Sequence, residues 1–200
     1  MSLKESIESF CSLFPRKASF GNVDFGSIEI NRIPNSSFPI ELEFKNSIKE
    51  YFSLITVSDD AMIGGEFMMN IYSLNNVKRG LEGWRWYVED NQKKENKDWL
   101  NTWIPIGDRN GSIVFIKSEL DSENIYASFT GGFEPFLIAN SLQNFLDVLR
   151  QCIELEKKFN YDTQNEDCEP KEDFLNQVKI ISKSNLSPDA YEGFIEFFFG

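Results

Sequence analysis

Histidine is absent from the 200 residues. That one absence removes the Ser-His-Asp and Cys-His triads, His-based zinc sites and the commonest general base. Cysteine is scarce. Cys11, Cys152 and Cys168 are an odd number at scattered positions, which fits reduced thiols rather than a disulfide framework. Three separated thiols without His cannot close a standard zinc site, so neither a metal nor a cofactor is expected. Bases are outnumbered, 20 against 32 acids, leaving a net charge of −12. This balance argues against nucleic acid and anionic membrane as direct partners, because both demand a basic face. Long apolar runs are missing too: no window approaches the roughly 18 residues of a membrane span. The opening MSLKESIESFCSLF lacks the basic flank and apolar block of a signal peptide. A cytoplasmic protein is expected, with a monomer as its default state.

What is present is an aromatic-rich apolar fraction, 41% of residues with 19 Phe. A chain of this length buries roughly 70% of its extended surface, so a sizeable core is expected without staples. The acids are unevenly placed. Residues 160–200 hold nine acids and three bases, half of the net excess. Such a stretch is either a solvated face that keeps the protein soluble or a surface for a basic partner.

Along the chain, Ser2 and Glu5 form a capping box before Leu3, Ile7, Phe10 and Phe14 at helical spacing, with Pro15 as the stop. ASFGNVDFGSIEINRI reads as a short strand or hairpin. Pro39 suits a first helical turn, and Ile40, Phe44, Ile48 and Tyr51 or Phe52 trace one stripe, predicting a helix over 39–53. SDDAMIGG is a loop, EFMMNIYSL a strand, and Asn75 to Gly80 a helical turn with Gly80 as its stop. In EGWRWYV, Trp84, Trp86 and Val88 alternate onto one side of a strand; the polar EDNQKKENKDW after it reads as an exposed loop.

WIPIGDRNGSIVFI reads as two strand segments joined at Asn110-Gly111, with Trp103 and Ile106 in the core and Pro105 at a strand start or edge. SIVFIK and NIYASF pair antiparallel by default. Asn140 and Gln143 mark a capping pair before Leu142, Phe145, Leu146, Leu149 and Ile153, a helix reaching about Phe159. The acidic DTQNEDCEPKED links to two more helices, one carrying Phe174, Val178 and Ile181 and one opening at Ser187 and Pro188. Helices, then strands, then helices give an α+β fold, a mostly antiparallel central sheet with helices packed on one side. The division expected is an extension over 1–37, a core over 38–160, and an acidic linker with C-terminal helices over 161–200.

The pieces Gly64-Gly65 before EFMMNIYSLNNV, WIPIG at Trp103 to Gly107, Asn110-Gly111 before SIVFI, Ile125-Tyr126, and IANSLQNFL at Ile138 to Leu146 occur in a telling order. Over roughly residues 38–150 the chain resembles the SUKH superfamily, the Smi/Knr-type cell-wall regulators and bacterial immunity proteins. The resemblance implies that Gly64, Gly65, Trp103, Pro105, Gly107 and Gly111 are structural. It also implies a bacterial immunity protein that binds and neutralises a cognate polymorphic or contact-dependent toxin, often a nuclease.

A toxin that cuts nucleic acid must be basic, so an acidic inhibitor gains steering and complementarity. The expected contacts are Glu119, Asp121, Glu123, Glu166, Asp167 and Glu169. Two alternatives stay open: a non-catalytic regulatory scaffold of Smi/Knr type, and a hydrolase built on paired carboxylates. For the latter Asp59-Asp60 and Asp108 lie in loops, where acids are usually turn formers, and no pair is located; no catalytic residue is expected. Trp84, Trp86 and Trp103 read as packing residues, and Gly131-Gly132 as a turn.

Overall fold

The computed structural model describes residues 2–14, 19–20, 23–24, 26–58, 61–118, 123–132 and 134–200. In chain order, helix α1 (Leu3–Cys11) is followed by β1 (Ser19–Phe20), β2 (Val23–Asp24), β3 (Ile28–Ile30), α2 (Asn46–Leu54), β4 (Ile55–Val57), β5 (Ala61–Ile63) and β6 (Met69–Ile71). Then come β7 (Trp86–Glu89), β8 (Gln92–Glu95), β9 (Trp103–Arg109), β10 (Ser112–Lys117), β11 (Ile125–Ser128) and β12 (Phe136–Ala139). Three helices close the chain: α3 (Leu142–Lys158), α4 (Glu172–Asn185) and α5 (Pro188–Phe199). Six strands form an antiparallel sheet in the order β12-β11-β10-β9-β6-β5. Helices pack on one side of it, and the fold class is the α+β arrangement expected.

One contiguous core runs from Ile7 in α1 to Phe198 in α5. The capping box of α1 forms as expected, with Glu5 N donating to Ser2 Oγ at 3.3 Å and Ser2 N donating to Glu5 Oε2 at 2.7 Å. Ile7 and Phe10 are then fully buried, and α1 lies against α3. In α3 all five apolar positions read from the sequence, Leu142, Phe145, Leu146, Leu149 and Ile153, are buried. Its cap is Ser141, which accepts from Asn144 N at 3.0 Å, and not Asn140 with Gln143. Asn140 instead holds the start of α5: its Nδ2 donates to Ser187 Oγ at 2.9 Å and its Oδ1 accepts from Ser187 N at 2.8 Å. A cap read from spacing lost to a contact distant in sequence.

The same competition shortens α2. The helix starts at Asn46, not Pro39, and Ile40 is 99% exposed. Ser47 N donates to the Glu123 carboxylate at 2.9 Å, so a side chain from far along the chain satisfies an orphan donor of the first turn. Ile55 leaves the helix to pair with Ile30, and SDDAMIGG is not all loop, since Ala61–Ile63 form β5 and pair with β6. Gly80 does not stop a helix. It lies within a 3-10 turn, Arg79–Leu81, beneath the Tyr72 ring.

EDNQKKENKDW is a strand-bearing hairpin rather than a loop: β7 and β8 pair through a turn at Asp90 and Asn91, both at positive φ. Hairpins of this kind favour Asp and Asn at such positions. Trp84 precedes β7, Trp86 is half-buried between the cations of Arg85 and Lys93, and Val88 is 74% exposed. Trp84 and Trp86 pack against the core as expected, and Val88 alone of the three turns away from it. Trp99, in the polar stretch, is the most buried of the four tryptophans, and its Nε1 donates to Trp103 O at 3.0 Å.

Candidate functional site

Gly64 ends β5 at φ +69°, a conformation that favours glycine. The chain then turns so that its next amides point inward. Gly65 N and Glu66 N donate to the Glu156 carboxylate at 3.0 and 2.6 Å, and the Phe67 amide adds to the same cradle. Glu156 comes from the buried face of α3, one turn beyond Cys152 and Ile153, and is fully buried. Its carboxyl is held above the usual carboxylate range because burial outweighs the three amides, with the nearby Glu66 charge pushing the same way.

Glu66 is itself buried and accepts from Thr163 Oγ1 at 3.2 Å. Behind it, burial lowers the pKa of Arg109 while the Glu66 charge works against that shift. Arg109 Nη1 donates to Phe197 O at 3.1 Å, and its Nε has no hydrogen-bond partner among the described residues. A buried polar network thus ties four segments together: the turn after β5, the end of β9, the end of α3 and the C-terminal helix. Sequence reasoning missed Glu66 and Glu156. The signal was a Glu at the next step of the apolar Leu149, Cys152, Ile153 stripe, where a solvated acid has no place.

Outside this network lies the loop from α3 to α4. Asn165 organises it: its Oδ1 accepts from Asp167 N at 3.0 Å and from Glu169 N at 2.9 Å, while Asn165 N donates to Glu169 O at 2.8 Å. Such closure by an Asn side chain is a common turn device. It leaves Glu166, Asp167 and Glu169 exposed and without a salt bridge among the described residues. Asp162, by contrast, pairs with Lys171 at 2.6 Å. Residues 160–173 carry six acids and one base, 1 − 6 = −5.

Glu123, another expected contact residue, does not join this loop. Glu123 is half-buried on the N-terminus of α2, and Glu119 and Asp121 lie outside the described residues, as do Asp59, Asp60 and Pro15. Asp108 is a turn former, accepting from Gly111 N at 3.2 Å and from Asn70 Nδ2 at 3.3 Å. Asn110 and Gly111, at φ 51° and 82°, make the tight turn expected between β9 and β10. Pro105 is not at an edge. It sits inside β9, buried, where the ladder to β10 slips by one residue between Val114 and Phe115, and a bulge is where a sheet tolerates a missing donor. Trp103 is half-buried, stacked on Phe115 at 5.5 Å with Lys117 Nζ 4.2 Å from its ring centre. Gly131, at φ 88°, and Gly132 form a turn beside β11.

The three thiols are free. Cys11 and Cys152 are buried, and desolvation raises both pKa values, that of Cys11 to about 12; Cys168 is exposed. We expect one fast-reacting thiol in the native protein and three after denaturation, read by a thiol-reactive chromophore. More than one fast thiol under native conditions would contradict the packing of α1 or α3.

Among the described residues no cluster of three or more metal-ligating His, Cys, Asp or Glu side chains occurs, and no helix is long and apolar enough to cross a membrane. An open groove of about 550 Å³ runs between α3 and α4, lined by Arg150, Glu154, Lys158 and Ile180 among others. Compared with protein-family models, curated proteins and solved structures, the chain has no significant match to any.

Proposed function

We propose that this chain is a SUKH-type immunity protein that neutralises a cognate toxin by binding it, without catalysis of its own. The observation that carries the reading is the exposed acidic loop, Glu166, Asp167 and Glu169, held open by Asn165 and without a salt bridge among the described residues. The resemblance in the order of Gly64-Gly65, WIPIG, Asn110-Gly111 and IANSLQNFL gives that loop its context. A toxin that handles nucleic acid presents a basic face, and an inhibitor that competes for it gains from opposite charge placed where nothing else neutralises it. A carboxylate hydrolase has less support. The two acids that meet, Glu66 and Glu156, are buried and engaged by amides and a hydroxyl, as structural groups are.

Coexpression with the toxin encoded beside this gene tests the reading: the wild-type chain should restore growth. Reversal of Glu166, Asp167 and Glu169 to Lys should slow association by roughly tenfold or more at low salt and flatten its salt dependence, since exposed charges act on encounter. The melting temperature should barely change, because these side chains are exposed. Association at the wild-type rate would remove the acidic loop from the binding surface. A well-expressed wild-type chain that fails to protect would overturn the immunity reading.

A further inference from the structure

Eight described non-glycine residues adopt positive φ. Five are Asn or Asp, which tolerate it: Asn46, Asp90, Asn91, Asn110 and Asn160. The other three are Met68 at 40°, Tyr161 at 59° and Cys168 at 61°. A left-handed backbone at such residues is strained and persists only where the surroundings over-determine it.

Met68 lies on the turn that Glu156 grips and Tyr161 just beyond the end of α3, while Cys168 lies further along the loop to α4. Glu156 grips the amides just before Met68, while its backbone O accepts from Tyr161 N at 2.9 Å. Thr163 then reaches Glu66 across the same junction, and a Cβ at Gly65 would lie 3.8 Å from Tyr161 Cδ1. The three strained side chains all face outward: Met68 is 46% exposed, Tyr161 is 58% exposed, and Cys168 is exposed. Packing therefore does not explain their identities, and Gly or Asn at each site would relieve the backbone. A large apolar side chain on the 64–68 turn and an aromatic one in the 160–173 segment, whose net charge is −5, are displayed on two strained turns that Glu156 holds together.

We propose that Met68 and Tyr161 form the apolar anchor of the binding surface, and that its occupant is a basic protein segment whose apolar side chain seats between them while its Arg or Lys side chains meet Glu166, Asp167 and Glu169. The proposal rests on the immunity reading for the identity of the natural partner, but not for the chemistry of the surface. An exposed aromatic ring beside acids receives guanidinium groups through its face as well as through charge, and Met adapts to irregular apolar contacts. Rigid bracing by a buried carboxylate lowers the entropy lost on binding.

The probe is a short synthetic peptide of alternating Arg and Leu, with a Glu and Leu peptide as charge control, titrated into the labelled wild-type chain by two-dimensional NMR. Amide shifts should concentrate at 64–68 and 160–169 for the Arg peptide alone, and the bound peptide should slow alkylation of Cys168. Met68→Gly combined with Tyr161→Gly should leave the melting temperature unchanged or higher while weakening the peptide, and the cognate toxin, about tenfold or more. Shifts centred on the exposed acids of α5, Asp189, Glu192 and Glu196, would overturn the proposal, as would unchanged affinity in the double variant. The wild-type footprint decides the matter even if that variant folds poorly. Failure of the toxin to bind the wild-type chain while the Arg peptide maps to this turn would instead overturn the immunity reading and leave the surface standing.

Discussion

Glu156→Ala should cost about 3 kcal/mol, because it removes the acceptor of the amides of Gly65, Glu66 and Phe67, the last two in buried residues. Chemical denaturation reads the loss directly. Glu156→Gln separates shape from charge. In the folded chain the Glu156 carboxyl has a pKa raised above its ordinary 4.5, chiefly by burial. A raised carboxyl pKa means that the folded state holds the proton more tightly than the unfolded state does. Its favourable contribution is therefore complete below the unfolded value and is lost as pH rises through the folded value. Measured against Glu156→Gln, the wild-type chain should gain stability as pH falls from neutral through the raised pKa, levelling off below about 4.5. A wild-type chain that loses ground to the Gln variant over that window would show that the amide cradle outweighs burial.

Gly107→Ala should be comparably damaging. A Cβ at Gly107 would lie 2.2 Å from Asn70 O and 2.6 Å from Met69 Cε, and the first is a backbone atom of β6, paired to β9 at this point. Relief requires the two strands to part, at a cost of about 3 kcal/mol, or a fall of roughly 6–12 °C in melting temperature for a chain of this size. Gly132→Ala is the control, since nothing lies within 4 Å of a Cβ there and its φ is not positive. A Gly107→Ala protein that melts with the wild type would mean that β6 and β9 are not locked at this register.

These two residues show what the sequence could and could not disclose. Gly107 belonged to a motif visible by inspection, and its reason is a close backbone approach between strands that no local pattern contains. Glu156 was invisible to motif reading, yet it broke an otherwise apolar stripe of α3. The helices whose faces are set by local spacing, α1, α3, α4 and α5, were legible, and so was the antiparallel run β9 to β11. Elements decided by distant partners were not. The start of α2 answers to Glu123 and β4 exists because Ile55 finds Ile30, whereas the start of α5 was legible at Ser187 and Pro188 and only its tie to Asn140 was not. β7 was legible within EGWRWYV, but its partner β8 hid because QKKE is wholly polar and mostly exposed, so the alternation that marks a half-buried strand had nothing to alternate against. At the candidate surface, the acids of 166–169 were readable as charge. The strain at Met68 and Tyr161 was not, since backbone sign is a property of the folded turn.

The most direct measurement of the central claim is titration of the neighbouring toxin's purified catalytic domain with this chain, following toxin activity and the mass of both chains. Binding as proposed predicts that activity falls linearly to baseline at a stoichiometric ratio, with both masses unchanged and the activity restored when high salt or denaturant separates the pair. Undiminished toxin activity with the chain in excess, or loss of activity accompanied by a change in the mass of either chain, would contradict it.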